Sequence, residues 1–156
     1  YTTEVQMIVF LKSENPDAPN QFPEIAKLYR REAMVEGVNY DVAFCQMCLE
    51  TDFLKFGGIV KPSDYNFAGL GTVGGSSEIA AFATTEEGVR AHIQHLKAYA
   101  THEPIVQEIV DPRFDYITRG VAPSVFSLGG RWSDDPQYGD RIVALVRRLY
   151  EMSGLL

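Results

Sequence analysis

Apolar positions recur at three- and four-residue intervals in five stretches of the chain, and proline and glycine punctuate the segments between them. Residues 2–12, TTEVQMIVFLK, predict a short helix with Val5, Ile8, Val9 and Leu11 on its buried side. The segment that follows, SENPDAPNQFP, is rich in Pro and Asn and predicts a loop, because its prolines forbid a continuing helix. A second helix is expected over 23–36, where Ile25, Leu28, Tyr29 and Met34 fall at helical spacing and Gly37 supplies the stop. Asn39 is suited to cap a third helix over 40–51, with Asp41 in its first turn. From 57 to 82 the helical period is lost. Gly57, Gly58, Gly69, Gly71, Gly74 and Gly75 sit among short apolar pieces, and turns with short strands are expected. Helical spacing returns over 85–100 through Val89, Ile93, Leu96 and Ala100, before an irregular segment broken at Pro104, Pro112 and Pro123. The last helix is marked by Asp135 as cap and Pro136 at the first position, followed by Ile142, Leu145, Val146 and Leu149. The pattern predicts a mainly α (α+β) fold, a helical body with a small Gly-rich β-lobe, in a single domain over residues 1–156.

Composition narrows the partners. A chain of 156 residues, 46% hydrophobic and 22% charged, has the make-up of a globular domain with one proper core. Its formal charge of −7 argues against nucleic acid, whose phosphates require a basic face, and leaves no polybasic patch for an anionic membrane. No apolar run approaches the roughly 18 to 20 residues of a membrane span. The chain opens on Tyr1 rather than Met, as expected of a processed product or an excised piece in which any signal peptide is already gone, so localisation is not read directly from it.

The third helix raises the chemical question. After Phe44, Met47, Cys48 and Leu49 it finishes on Glu50, where the negative end of the macrodipole disfavours an ionised carboxylate. Apolar neighbours act in the same direction, so the position suits an acid that holds a proton near neutral pH. Cys45 and Cys48 have C-x-x-C spacing, but no second Cys or His pair accompanies them, and packing in the core is expected. His92 and His95, three residues apart on a helix, lack a third ligand at metal-binding spacing and fit an amphipathic helix. Asp52 is too near Glu50 in sequence to oppose it and is expected in solvent; Asp134 and Asp135 read as capping residues.

Four segments in order carry a resemblance: FCQMCLETDFLKFGG (44–58), YNFAGLGTVGG (65–75), EEGVRAHIQHLKAYA (86–100) and GGRWSDDPQYGDRIVALVRRL (129–149). Together they resemble the bacterial glucosaminidase domains of glycoside hydrolase family 73, peptidoglycan-cleaving autolysins with a lysozyme-like fold. Leu49-Glu50-Thr51 matches the triplet that ends the family's apolar helix, with Phe53, Phe56 and Gly57 after it, and Asn66-Phe67-Ala68-Gly69 matches the motif that follows. The resemblance implies an endo-β-N-acetylglucosaminidase acting on the bacterial peptidoglycan glycan strand, outside the cytoplasm and without a cofactor.

In that reading Glu50 is the general acid, and Glu78 is the candidate second carboxylate on a Gly-rich arm that Gly71, Gly74 and Gly75 let swing. Widely separated carboxylates would imply inversion through water and a close pair a covalent intermediate, while the substrate's own N-acetyl group offers a third route. Tyr65, Asn66, Phe67, Phe82 and Trp132 are cleft candidates, Asn66 through a turn or a sugar hydrogen bond and Trp132 by stacking on sugar. Phe82 falls where many members carry a cleft tyrosine, which argues against a tyrosine-assisted step. Two other readings use the same residues: a lytic transglycosylase employing Glu50, and a peptidoglycan-binding module that has lost turnover.

Overall fold

A computed structural model describes residues 1–72 and 78–156. Helix α1 (Glu4–Glu14) starts in a capping box, in which Thr3 Oγ1 accepts from the Gln6 amide and the Gln6 side chain accepts from the Thr3 amide. It buries Met7, Phe10 and Leu11, whereas Val5 and Val9, expected on the buried side, are 70% and 51% exposed. This segment is apolar nearly all round, so its period alone does not choose a face. The observed rotation sets Phe10 against Phe53, with ring centroids 5.4 Å apart. The predicted loop contains a further short helix, α2 (Ala18–Gln21), with Pro19 in its first turn, where a missing N–H is tolerated.

Helix α3 (Ile25–Glu36) ends as expected at Gly37, which has φ of 72°. Ile25, Leu28 and Tyr29 are buried, but Met34 is 64% exposed, because nine residues on from Ile25 it lies on the side of the helix opposite the core. Helix α4 (Tyr40–Thr51) has the predicted bounds, and Asn39 Oδ1 accepts from the amides of Asp41 and Val42. It is the central helix, packed between α3 and α6 and touching α5. Helix α5 (Thr85–Ala100) is capped by Thr84, and buries Val89, Ile93 and Leu96. Helix α6 (Tyr138–Met152) begins two residues beyond Pro136; Asp135 caps the preceding turn by accepting from the Gln137 amide at 2.9 Å.

Two buried carboxylates tie these helices together. Glu36 on α3 accepts from Lys97 Nζ on α5 (2.9 Å) and from the amides of Val106 and Gln107. Burial opposes its charge, but these donors prevail and hold its pKa below the ordinary carboxylate value. Asp41 on α4 accepts from the Thr2 amide and from Tyr150 of α6.

The chain is mainly helical, as predicted. Among the described residues the Gly-rich region contributes one antiparallel bridge, Gly71 with Ile79, and no longer strand. Its path is fixed instead by a 3-10 turn at Pro62–Asp64 and by side-chain bonds from Asn66. Gly74 and Gly75 lie outside the described residues. Around this region Ala68, Leu70, Ala80 and Ala91 form a second small apolar cluster, against which Phe82 and Trp132 pack. No described helix is long and apolar enough to cross a membrane.

Candidate active site

Glu50 stands in the last turn of α4, just before an abrupt chain reversal. Asp52, Phe53 and Leu54 take successive positive φ values of 49°, 56° and 63°, a conformation that L side chains adopt at a cost. Two side chains support it: Thr51 Oγ1 donates to the Met47 carbonyl and accepts from the Leu54 amide, and Asn15 Nδ2 donates to the Phe53 carbonyl. Asp52 is exposed, as expected.

The Glu50 carboxyl is half-buried and held on two sides. Its Oε1 accepts from the Tyr138 hydroxyl of α6 at 2.6 Å. Its Oε2 faces Gly69, where an added Cβ would lie 3.2 Å from that oxygen and where φ is +66°. Glycine is therefore favoured at 69 on both counts, by backbone conformation and by close approach. Burial raises the Glu50 pKa; the Tyr138 hydrogen bond pulls the other way and is outweighed.

Behind Glu50 runs a buried chain of hydrogen bonds with a single sense. Tyr138 spends its proton on Glu50, so its oxygen accepts from Gln46 Nε2 at 2.9 Å. That leaves Gln46 Oε1 to accept from His92 Nε2 at 2.8 Å, which makes Nδ1 the bare nitrogen of a neutral imidazole, and Tyr29 donates to it at 2.8 Å. Burial, with a smaller contribution from His95, lowers His92 to about 3, consistent with the neutral form. His92 thus serves as a link in this chain, and His95 Nδ1 is engaged by Asp111 at 2.8 Å. Among the described residues no cluster of three metal-ligating side chains occurs. Cys45 and Cys48 are free, buried in the core and made less acidic by that burial.

The remaining candidates separate into frame and wall. Asn66 is fully enclosed: its Nδ2 donates to the carbonyls of Leu70 and Ala80, and its Oδ1 accepts from the amides of Ala68 and Leu70. Its donors and acceptor are committed to the turn that presents Gly69. Phe67 is buried edge-on against Phe22, at 5.5 Å. Tyr65 is partly buried with φ of 50°, and its carbonyl occupies the space a Cβ on Gly88 would need. Phe82 is partly buried on the second cluster.

Trp132 is partly buried. Its Nε1 donates to the Ala68 carbonyl at 3.3 Å, its ring meets those of His95 and Tyr99, and it lines a cleft together with Gly69. Glu78 is exposed beside the Gly71–Ile79 bridge, and its carbonyl accepts from the Thr72 amide at 3.1 Å. A larger apolar groove of about 470 Å³ lies by the opposite end of α4, lined by Val38, Val42 and Phe126. The one carboxylate there, Glu36, is committed to Lys97 and two amides.

A half-buried, protonatable carboxyl beside an aromatic-walled cleft on a helical body has the parts of a glycoside hydrolase. The chain belongs to the glucosaminidase family: residues 26–151 match that family, described as mannosyl-glycoprotein endo-beta-N-acetylglucosaminidase. It is a glycoside hydrolase of that class. It is also 41% identical over 138 residues to a protein of Borreliella burgdorferi described as an uncharacterized protein, covering 88% of this chain and 68% of that one. No solved structure matches it.

Proposed function

We propose that Glu50 is the general acid of an endo-β-N-acetylglucosaminidase that cuts the glycan strand of bacterial peptidoglycan after an N-acetylglucosamine. The observation that carries this is the Glu50 carboxyl itself: raised in pKa by burial, oriented by Tyr138, and aimed at a glycine rather than a side chain. A carboxyl in that state gives its proton to the glycosidic oxygen as the C1–O bond breaks, and the sugar passes through an oxocarbenium-like transition state. Water then adds at C1, and Glu50 recovers a proton.

Glu78 is the proposed second carboxylate, positioning that water from the arm that begins at Gly71. Tyr65, Phe82 and Trp132 are proposed as cleft walls, with Asn66 and Phe67 as the frame beneath them. The chain over 1–156 acts as one catalytic domain, and its substrate places its action outside the cytoplasm, where the protein is secreted, periplasmic or held at the wall.

Mass spectrometry of borohydride-reduced digests of purified peptidoglycan tests the reaction. Reduced N-acetylglucosamine ends are expected. Anhydro-muramyl ends would replace the hydrolase with a lytic transglycosylase, and reduced N-acetylmuramic acid ends would move the cut to the other bond.

A further inference from the structure

Beside Glu50 the cleft opens into a pocket of about 290 Å³ bounded by Gly69, Gly71, Tyr99, Arg113, Arg131 and Trp132. It shares Gly69 with the acid's own surroundings, and Trp132 links the two through its bond to the Ala68 carbonyl. In a chain of formal charge −7 this pocket is cationic. Most other arginines are spent on carboxylates, among them Arg30 on Glu4, Arg90 on Glu32 and Glu86, Arg141 on Asp135 and Arg148 on Glu14, while Arg119 is taken up by the carbonyls of Ala98, Thr101 and Glu103. Arg113 and Arg131 are not spent on carboxylates.

Among the described residues neither has a carboxylate partner. Arg113 Nη1 donates to the Thr72 carbonyl at 3.0 Å and its guanidinium lies 5.2 Å from the centre of the Tyr116 ring. Arg131 Nη1 donates to the Ser127 carbonyl at 3.0 Å and the side chain is exposed. The nearby carboxylate, Asp111, is buried and accepts from His95 and from the Arg113 backbone amide. Both arginines line this one pocket together with Tyr99, and both guanidinium charges oppose the rise that burial gives the Tyr99 phenol. Carbonyl bonds use only one of the five N–H donors that each guanidinium carries, which leaves a fork able to grip a carboxylate.

A plain N-acetylglucosamine carries no negative charge, so a neutral glycan gives such a pocket nothing to hold. Peptidoglycan does: every second sugar bears, on its lactyl group, a peptide stem with free carboxylates. We infer that this pocket binds a stem carboxylate of the muramyl residue next to the scissile bond, with Arg131 and Arg113 as the anion grip and Tyr116 and Trp132 as its apolar walls. The inference rests on the peptidoglycan reading above and adds that the enzyme recognises the stem as well as the sugar.

The test measures calorimetric binding to the Glu50→Gln chain, which prevents cleavage, of three soluble glycan fragments. One carries stems with free carboxylates, one carries amidated stems, and one has been stripped of stems by an amidase. The free-carboxylate fragment is expected to bind about tenfold more tightly than the amidated one. Raising the salt should shrink that advantage, and Arg131→Gln should reduce it to less than about threefold. Equal affinity for the free and amidated fragments, or a preference that survives both Arg131→Gln and Arg113→Gln, would overturn the inference. Digestion of the stripped fragment by the wild-type chain separates the two claims. Failure to cleave both it and the intact strand counts against the peptidoglycan reading, while the binding series still decides the stem pocket.

Discussion

Tyr138 has only one proton to give, and Glu50 takes it. The consequence is a testable pH dependence. An acid catalyst works protonated, so activity falls as pH rises through the Glu50 pKa, and burial sets that limb above the ordinary carboxylate range. The Tyr138 hydrogen bond favours the ionised form and holds the limb down. Tyr138→Phe should therefore move the basic limb of the kcat/KM profile to higher pH. It should also cost about 1–3 kcal/mol of stability in a denaturant titration, because Gln46 Nε2 loses its acceptor in the interior. An unmoved limb would mean that Tyr138 only packs.

The surroundings of Glu50 were legible at the level of sequence because two local facts, a helix end and apolar neighbours, act in one direction, and its pKa is indeed raised by burial. Its supports were not. Tyr138, Gln46, His92 and Tyr29 come from four helices, separated by 92, 46 and 63 residues along the chain at successive links. His92 in particular reads as an ordinary position on an amphipathic helix until its neighbours are known. Asn66 reads equally as a sugar ligand or a turn former, and only its four internal partners decide for the turn.

Among elements, caps were readable and faces less so. Asn39 and Gly37 act within a few residues, so sequence alone placed the bounds of α4 and the end of α3. For α1, apolar on several sides, the buried face is chosen by Phe53 of a distant turn. The Gly-rich stretch was readable only coarsely for a related reason: glycine permits strands and tight turns alike, and around Gly69 buried Asn66 selects a turn. Gly88 in the first turn of α5 is the contact on which this arrangement depends, since a Cβ there would overlap the Tyr65 carbonyl and crowd Phe67. Gly88→Ala should lower stability by about 3 kcal/mol in a denaturant titration. It should also depress activity, because the displaced 65–69 segment carries Gly69 away from Glu50. A variant of wild-type stability and activity would show that the segment can yield without cost.

On the scale of the molecule, buried polar ties and the active site use the same helices. Glu36 joins α3 to α5, Asp41 joins the N-terminal segment to α4 and α6, and the hydrogen-bond chain to Glu50 crosses α3, α5, α4 and α6 in turn. The Glu50 carboxyl is thus supported from four helices, and the proposed use of its proton is delivery to the leaving oxygen. The most direct measurement compares Glu50→Gln with wild type on two substrates, the natural glycan strand and an oligosaccharide whose aryl leaving group departs without protonation. The account predicts a loss of about 10²–10⁴-fold on the glycan and a far smaller loss on the activated glycoside. Equal losses on both substrates would contradict it, and Glu50 would then act on the sugar ring or on water rather than on the leaving group.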